Sequence, residues 1–406
     1  MINVIGLGYI GLPTALMFAK SGKKVVGTDI NKDLINSLTE GKLTFEEAGL
    51  DELFYDAIKN GIEFTTEYQK TETYIIAVPT PYMKESKKLD PKYVISAVNS
   101  VLDVCDKGAT LIVESTVTPG STDKYIRPEI EKRGFIIGQD VHLVHAPERI
   151  IPGNMIYELE YNSRTVGADD LEVGERVKKL YLNFCKAEIV VTDIRSAEMS
   201  KVVENTYRDV NIAFANELAK ICRSDDMDVY EIIKIANKHP RVNILQPGPG
   251  VGGHCISVDP WFLVGDYPGL ANLILTARKI NDSMPKHVLG RVREIMREHN
   301  IRDISKVGLY GLAYKENVDD TRESPTLQLL ERMDEHLAFG VKVFDPFVKT
   351  KMVDHQFMNF EDFIKEIEIL VIMVGHDHIK NNMDLIKDKL ILDTKNICPF
   401  DGVYKL

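Results

Sequence analysis

A cysteine directly after a glycine-rich loop is the residue of this sequence best suited to nucleophilic chemistry. Residues 248–255 read GPGVGGHC and end at Cys255. Because the loop carries little side-chain bulk, its backbone can approach a ligand closely and the thiol stays accessible. The alternative is a cysteine that fills space in an apolar core, but the loop setting favours the nucleophile. The adjacent His254 could act as its base, yet neighbouring side chains of an extended chain point to opposite sides, which favours a structural role.

Three polar residues follow one another along a predicted helix. Lys201 and Asn205 are four residues apart and so share a face, and Arg208 follows on nearly the same side. A lysine and an amide together could hold a developing oxyanion. A solvated helix surface gives the same pattern, and for Arg208 alone we favour that interpretation.

The first 30 residues combine a glycine motif with an acidic residue at the spacing that dinucleotide binding requires. Residues 6–11 read GLGYIG, the pattern G-x-G-x-x-G, and Asp29 follows Gly11 by 18 residues, close to the roughly 20 expected. Gly6 permits a tight turn, Gly8 admits a pyrophosphate, and Gly11 lets the next helix pack closely. The strand–helix–strand context argues against an ordinary glycine turn. Since Asp29 would bind a ribose diol and repel a 2′-phosphate, we predict NAD rather than NADP.

Polar residues end three further predicted strands. The segment 145–149, HAPER, follows one of them, and Thr80 and Thr116 follow the two before it. Ligands of open α/β sheets bind at this edge. Each residue could belong to an ordinary turn, but together they indicate a cleft.

The elements that must position these residues form three domains of an α/β protein. Alternating strand and helix patterns over 1–193 predict a Rossmann-like, doubly wound parallel sheet, and strand patterns return over 301–406 to predict a second one. Residues 194–300 predict a central helical domain with one long helix, capped by Ser196 and free of Pro and Gly as far as Arg223. The predicted strands cover 2–5, 24–29, 73–78, 110–114, 142–145, 188–191, 306–312, 341–344, 367–374 and 390–393.

Composition excludes several classes of protein. The net charge of −11 argues against a nucleic-acid-binding surface, which needs a basic face. Five cysteines without a C-x-x-C pair argue against a disulfide framework and a metal site, and favour the reducing cytoplasm. The four cysteines other than Cys255 lie in helix or strand patterns and are expected to be buried. No stretch reaches the roughly 18 apolar residues of a spanning helix, so we predict no membrane insertion.

Three motifs resemble those of the nucleotide-sugar 6-dehydrogenases, the group that contains UDP-glucose dehydrogenase. They are residues 197–201 (AEMSK) with Asn205, residues 252–259 (GGHCISVD), and residues 311–315 (GLAYK) followed by 319–325 (DDTRESP). The resemblance covers nearly the whole chain. It implies an NAD-binding first domain, a central domain that carries the cysteine loop and dimerises, and a UDP-sugar-binding third domain.

Three segments resemble the branch of the family that oxidises UDP-N-acetylmannosamine. They are residues 257–262 (SVDPWF), 148–153 (ERIIPG) and 239–243 (HPRVN). The UDP-glucose branch usually has a second Glu where this chain has Pro152, which weakens that assignment and removes one possible water-activating carboxylate. UDP-N-acetylglucosamine and UDP-glucose are the alternative substrates.

The resemblance implies a four-electron oxidation of the sugar C6 in two steps, through a cysteine thiohemiacetal and a thioester. The implied catalytic residues are the nucleophile Cys255, Lys201 and Asn205 on the C6 oxygen, Asp259 in proton transfer, and Glu148 orienting the hydrolytic water. The implied cofactor-binding residues are Gly6, Gly8, Tyr9, Ile10, Gly11, Asp29, Thr80, Thr116 and Arg322. The implied substrate-binding residues are Glu148, Arg149, Ile150, Lys201, Asn205, Arg208, His239, Arg241, Gly253, Tyr314 and Lys315. A homodimer or higher homo-oligomer is implied, with His239 and Arg241 reaching substrate across its interface.

Two other functions compete with this one. A two-electron hydroxyacid dehydrogenase shares the plan of a Rossmann domain followed by helices, but it needs neither a thiol nor a third α/β domain. A non-catalytic sensor of NAD or nucleotide sugars explains both sheets, but not the coincidence of Cys255, Lys201 and Asp259. Turnover of a Cys255→Ala variant would separate the three.

Overall fold

A computed structural model of the chain describes residues 1–83, 85–150, 153–253, 255–335 and 339–406. The expected structural role of His254 and the branch signature at Pro152 lie outside these residues. The chain divides into two compact units, Met1–Glu204 and Asn205–Leu406. Within the described ranges, none of the helices combines the length and the apolar character that crossing a membrane demands.

The first unit is built on an eight-stranded sheet with the order β3-β2-β1-β4-β5-β6-β7-β8. Its strands are β1 Ile2–Ile5, β2 Val25–Thr28, β3 Glu63–Thr65, β4 Thr73–Ile76, β5 Ala109–Val113, β6 Val141–His145, β7 Arg164–Ala168 and β8 Ile189–Thr192. The first six follow the order 3-2-1-4-5-6, which is that of dinucleotide-binding domains. The predicted fold class is confirmed, with one local difference: β6 and β7 pair antiparallel, so the far edge of the sheet reverses direction.

Helices cover both faces of this sheet. They are α1 Gly11–Lys20, α2 Lys32–Thr39, α3 Leu50–Lys59, α4 Lys92–Val104, α5 Arg127–Lys132, α6 Met155–Tyr161 and α7 Leu171–Tyr181, with a π-helical turn at Thr122–Ile126 before α5. Successive residues of a strand face opposite sides. Val4 accordingly packs in a core with Phe18 of α1, whereas Ile5 packs in another with Val98 of α4.

The long helix α8 spans Ile194–Ser224 and contains the boundary between the units. Ser196 was expected to cap it, but the helix begins two residues earlier. The carboxylate of Asp193 accepts the Ser196 N–H at 2.9 Å and the Ser196 hydroxyl at 2.6 Å. The Asp193 carboxylate therefore satisfies one free N–H of the first turn, and Ser196 lies inside that turn.

The second unit joins helices to a six-stranded, fully parallel sheet with the order β11-β10-β9-β12-β13-β14. Its strands are β9 Val307–Tyr310, β10 Lys342–Phe344, β11 Gln356–Phe357, β12 Ile369–Ile372, β13 Leu390–Asp393 and β14 Tyr404–Lys405. Its helices after α8 are α9 Val229–Ala236, α10 Asp259–Asp266, α11 Asn272–Glu298, α12 Pro325–Glu335, α13 Phe360–Lys365 and α14 Asp377–Lys380. Ala219 of α8, Ile233 of α9, Val288 of α11 and Val371 of β12 share one core, which ties the helices to the sheet.

Candidate active site

The glycine motif forms the turn between β1 and α1. Gly6 has a φ of +87°, and a Cβ there would lie 2.7 Å from the carbonyl oxygen of Ala77. A Cβ at Gly11 would lie 1.8 Å from the carbonyl oxygen of Gly6. Gly8 is different, because it is exposed and has no atom within 4 Å of the Cβ position. Folding therefore requires glycine at positions 6 and 11, whereas the bare backbone at Gly8 leaves room for a pyrophosphate beside the start of α1.

Asp29 lies at the end of β2, beside the glycine turn. Its Oδ2 accepts the Leu7 N–H at 2.9 Å and its Oδ1 accepts the Asn31 N–H at 2.9 Å. A carboxylate has about four acceptor positions, so about two remain on this half-buried side chain. They fit the two hydroxyls of a ribose diol, and the residues present therefore fit NAD.

Other predicted cofactor-binding residues lie at the same edge of the sheet. Thr80 is buried and follows β4, and Thr116 is half buried and follows β5. The hydroxyl of Ser115 donates to the carbonyl oxygen of Val78 at 2.6 Å and joins the two loops. Tyr9 and Ile10 of the glycine turn are also half buried, and Tyr9 packs on Phe45 with ring centroids 4.5 Å apart. Arg322 belongs to the second unit, where its Nη2 pairs with Asp320 Oδ2 at 2.6 Å.

The glycines of the cysteine loop pack against one aromatic residue, Tyr314. Gly253 has a φ of +84°, and a Cβ there would lie 2.7 Å from the ring of Tyr314. Its N–H donates to the carbonyl oxygen of Arg322 at 2.9 Å. The loop presents Cys255, which is exposed as predicted. Of the other four thiols, Cys222 lies in a helix as expected, whereas Cys105, Cys185 and Cys398 lie outside the helices and strands. Cys185 and Cys222 are buried as expected, but Cys105 and Cys398 are half buried.

Asp259 and Asn205 form a buried pair next to this loop. The N–H of Asp259, at the start of α10, donates to the carbonyl oxygen of Cys255 at 2.8 Å. The Asn205 side-chain Nδ2 donates to Asp259 Oδ2 at 2.6 Å. Lys201 is buried on the same face of α8, one turn before Asn205. The fold thus joins two residues that are 54 positions apart in the sequence, which spacing could not reveal.

The loop after β9 brings further predicted substrate-binding residues to Cys255. Burial raises the pKa of Tyr314 to about 12, with the charges of Asp320 and Cys255 adding and those of Arg322 and Arg208 opposing. The Tyr314 phenol therefore lies within electrostatic reach of these four groups, of which Arg208 is exposed on α8. The adjacent Lys315 is half buried.

Glu148 is held rigidly after β6. Its Oε1 accepts the N–H of Arg149 at 2.6 Å and that of Ile150 at 3.2 Å, and its Oε2 pairs with the guanidinium of Arg164. Three donors leave about one acceptor position on the carboxylate. The side chain of Arg149 is also engaged, because its Nη2 pairs with Glu204 Oε1 at 2.7 Å.

Sequence reasoning missed a buried carboxylate beside Glu148. Glu114 Oε1 lies 3.4 Å from Arg164 Nη1 and accepts the Tyr181 hydroxyl at 3.1 Å. Burial raises the pKa of Glu114 to about 7. The positive charge of Arg164 lowers this pKa, and the negative charge of Glu148 raises it. The sequence carried one signal for this cluster, because Arg164 directly precedes the short run 165–168. That run was not recognised as a strand.

Two further predicted residues follow α9 in the second unit. His239 and Arg241 are exposed after α9, where the Arg241 N–H donates to His239 Nδ1 at 3.3 Å. A cavity of about 630 Å³ opens nearby and has Lys234, Lys238 and Lys395 in its wall. Lys395 is far from the other two lysines in the sequence, so spacing could not reveal this basic cavity.

Comparison with known proteins assigns the chain to a family. The family models for the UDP-glucose/GDP-mannose dehydrogenases match three parts of the chain. The NAD binding domain matches residues 1–185, the central domain 195–283 and the UDP binding domain 308–399. The chain belongs to the UDP-glucose/GDP-mannose dehydrogenase family. The predictions of an NAD-dependent dehydrogenase and of a nucleotide-sugar-binding domain are thereby confirmed.

Individual relatives of this family match over nearly their full length. The UDP-N-acetyl-D-mannosamine dehydrogenase of Methanococcus aeolicus is 41% identical over 97% of this chain and 91% of its own. The NDP-N-acetyl-D-galactosaminuronic acid dehydrogenase of Ralstonia nicotianae is 38% identical over 98% of this chain and 96% of its own. The solved structure of the UDP-N-acetyl-mannosamine dehydrogenase Cap5O from Staphylococcus aureus is 42% identical, with a TM-score of 0.89 over 100% of this chain and 97% of that chain.

Proposed function

We propose that this chain oxidises C6 of UDP-N-acetyl-D-mannosamine to a carboxylate, with Cys255 as covalent nucleophile and two NAD consumed per sugar. The observation that carries the proposal is the exposed thiol of Cys255 on a loop packed against Tyr314, beside the Asp259–Asn205 pair. A sensor of nucleotide sugars needs no such thiol. The names of the relatives from Methanococcus and Staphylococcus support the N-acetylated sugar.

In the first oxidation, Lys201 and Asn205 hold the C6 oxygen. The glycine turn and Asp29 would hold NAD, which would supply the acceptor for the hydride that leaves C6 in each oxidation. Asn205 Nδ2 gives one of its two N–H groups to Asp259, so the other is available for the substrate oxygen. The ammonium group of Lys201 stabilises negative charge on that oxygen as the hydroxyl proton leaves.

In the second oxidation, the thiolate of Cys255 adds to the aldehyde carbon and makes it tetrahedral, so that it can lose a second hydride. Asp259 takes part in proton transfer, fixed by its bond to Asn205. Water then cleaves the thioester to release the uronic acid and the thiol. Glu148 orients this water through the acceptor position that its three donors leave open.

The remaining predicted residues hold the nucleotide sugar. We assign this role to Arg149, Ile150, Arg208, Gly253, Tyr314 and Lys315. To them we add Lys395, since three ammonium groups around one cavity suit a diphosphate. Thr80, Thr116 and Arg322 contact NAD.

We further propose a homodimer formed through α8. Val203, Tyr207, Phe214 and Ile221 are each about half exposed, and their spacing of four and seven residues puts them in one stripe. A second copy of the chain would cover this stripe. His239 and Arg241 of one copy would then reach the substrate bound to the other copy. We expect light scattering to give twice the mass of the chain, and the Phe214→Glu variant to give a single chain. A wild-type monomer would contradict the proposal.

We also propose a cytoplasmic location, because an exposed nucleophilic thiol needs a reducing compartment.

The test of the reaction is NADH release from a panel of UDP-sugars. We expect UDP-N-acetylmannosamine to react far faster than UDP-glucose or UDP-N-acetylglucosamine and to give two NADH per sugar. Binding of the sugar without NADH release would support the sensor. Faster turnover of UDP-glucose would overturn the substrate while leaving the family.

The covalent role has its own test. Cys255→Ser should lower turnover by a factor on the order of 10³ or more, yet still release one NADH per site, because hydride can leave an alcohol carbon without a thiol. The control is Cys105→Ser, a half-buried thiol of the first unit, which should keep full turnover. Two NADH per sugar at the wild-type rate from Cys255→Ser would rule the role out.

A further inference from the structure

Three buried charges meet at the carboxyl edge of the first sheet. Glu114 follows β5, Glu148 lies beyond β6, and Arg164 opens β7. Their side chains are 0%, 4% and 4% exposed. Arg164 pairs through Nη2 with Glu148, and its Nη1 lies 3.4 Å from Glu114. One guanidinium therefore serves two carboxylates that are almost wholly buried.

The two carboxylates are not held equally. Glu148 accepts two backbone N–H groups besides Arg164. Glu114 accepts the Tyr181 hydroxyl at Oε1, and its Oε2 is buried without a hydrogen-bond partner among the described residues. The groups that face Glu114 are Arg164, Glu148 and the Tyr181 phenol of α7, with the Thr14 hydroxyl of α1. Of the two acids, Glu114 is the one that the cluster leaves under-compensated.

We propose that Glu114 is a positioning residue that sets, through the guanidinium it shares with Glu148, how strongly the Glu148 carboxylate attracts a proton of the hydrolytic water. The proposal rests on the role proposed above for Glu148. With Glu114 protonated, the cluster is neutral and Arg164 compensates Glu148 alone. When Glu114 loses its proton, a second negative charge shares the same cation, and the Glu148 carboxylate is less fully compensated. A stronger base activates water more effectively.

The cluster is built to make this change at neutral pH. Burial raises the pKa of Glu114 from 4.5 to about 7. The folded chain therefore disfavours the ionised form, which costs stability that grows as the pH rises from about 4.5 to about 7 and is constant above. Replacing Glu114 by Gln removes this cost and keeps the volume and the acceptor for Tyr181.

The experiment compares wild type with Glu114→Gln and with the matched control Glu131→Gln, an exposed glutamate of α5. Decay of the thioester on Cys255 is followed in single turnovers by mass spectrometry of the intact protein from about pH 6 to about pH 8. We expect the ratio of wild-type to Glu114→Gln decay rates to rise several-fold across this range. The ratio of wild type to Glu131→Gln should stay constant. A flat ratio for Glu114→Gln overturns the proposal.

A second variant keeps the test decisive if Glu114→Gln does not fold. The Tyr181 hydrogen bond lowers the pKa of Glu114, so Tyr181→Phe should move the midpoint of the rate change to higher pH. An unmoved midpoint overturns the proposal.

A third measurement needs no activity. The melting temperature of Glu114→Gln minus that of wild type should increase from about pH 5 to about pH 7, and a constant difference overturns the proposal. Absence of NADH release from any UDP-sugar would instead reject the proposed function.

Discussion

In the sheet of each unit, a glycine directly follows one inner strand and an aspartate directly follows the strand beside it. In the first unit these residues are Gly6 after β1 and Asp29 after β2. In the second they are Gly311 after β9 and Asp345 after β10. Both glycines have a positive φ, +87° and +101°, and both sheets run outward in the same order from that strand. The two turns are therefore built on one plan.

The two carboxylates differ in what they bind. Asp29 is half buried and accepts two backbone N–H groups, one of them from Leu7. Asp345 is 3% exposed, and its Oδ2 lies 3.3 Å from His376 Nε2. It also accepts four backbone N–H groups, from Leu312, Ala313, Phe347 and Val348. One plan thus yields a carboxylate with free acceptor positions in the first unit and, in the second, an anchor for the loop that carries Tyr314.

The largest difference should appear when each aspartate is removed. Asp345→Ala leaves four N–H groups, three of them buried, and His376 without their acceptor. We expect a loss of about 3–5 kcal/mol in the free energy of unfolding. Asp29→Ala should lose only about 1 kcal/mol, because its partners are closer to solvent. Urea denaturation of both variants measures this, with the exposed Asp362→Ala of α13 as control. Equal losses at the two sites would abolish the distinction between anchor and free carboxylate.

The glycines of the first turn should separate folding from binding. Gly11→Ala places a Cβ on the carbonyl oxygen of Gly6 and should cost about 3 kcal/mol of stability. Gly8→Ala meets no protein atom, so we expect an unchanged melting temperature and NAD binding at least about tenfold weaker, the equivalent of about 1.4 kcal/mol. Thermal denaturation with and without NAD reads out both effects. Unchanged NAD affinity in Gly8→Ala would place the cofactor elsewhere.

The cofactor preference should depend on Asp29 by a smaller amount. Hydrogen bonds to a charged group contribute about 1.5–3 kcal/mol. Asp29→Ala should therefore weaken the binding of NAD by about this amount and reduce the preference for NAD over NADP. The ratio of kcat/KM for the two cofactors is the measurement. Asp33→Ala, an exposed acid in the first turn of α2, is the control and should leave the ratio alone. A ratio equally unchanged in Asp29→Ala would contradict the assignment.

The smallest effect is a pH dependence confined to the second unit. Burial alone would raise the pKa of Asp345. Hydrogen bonds from His376 and from the N–H groups of Ala313 and Phe347 outweigh burial and lower this pKa below its ordinary 3.8. A lowered pKa contributes stability that is fully present above about pH 4 and is lost as the pH falls through the folded value. The stability advantage of wild type over Asp345→Asn should therefore shrink below about pH 4 in thermal melts. A constant advantage down to about pH 3 would show that folding does not lower the pKa of Asp345.

The sequence predicts those parts of the fold that local pattern determines. Alternating apolar runs and helical spacing indicated both sheets and the long helix α8. Four strands were missed. Three of them, β3, β11 and β14, have only two or three residues and so give too little pattern, and β7 opens with Arg164 and continues through only four small or apolar residues. The helix cap was assigned to Ser196 instead of Asp193, since both residue types suit that position and only the contacts distinguish them.

The candidate site divides in the same way. Gly6, Gly11 and Asp29 were found because one strand–helix–strand unit brings them together over a short stretch of chain. The bond of Asn205 to Asp259 and the sharing of Arg164 by two glutamates depend on segments far apart in sequence. Pairings of that kind are fixed by tertiary packing and leave no trace in spacing.

The contrast between Gly8 and Gly11 bears on how such a chain would change over generations. A mutation at Gly11 is opposed by the fold itself, whether or not the protein catalyses anything. A mutation at Gly8 meets no steric obstacle in the chain and is opposed only through the loss of a bound dinucleotide. In a descendant released from catalysis, position 8 would drift while position 11 stayed glycine. The pair would thus record, in the sequence alone, whether selection for the cofactor is still in force.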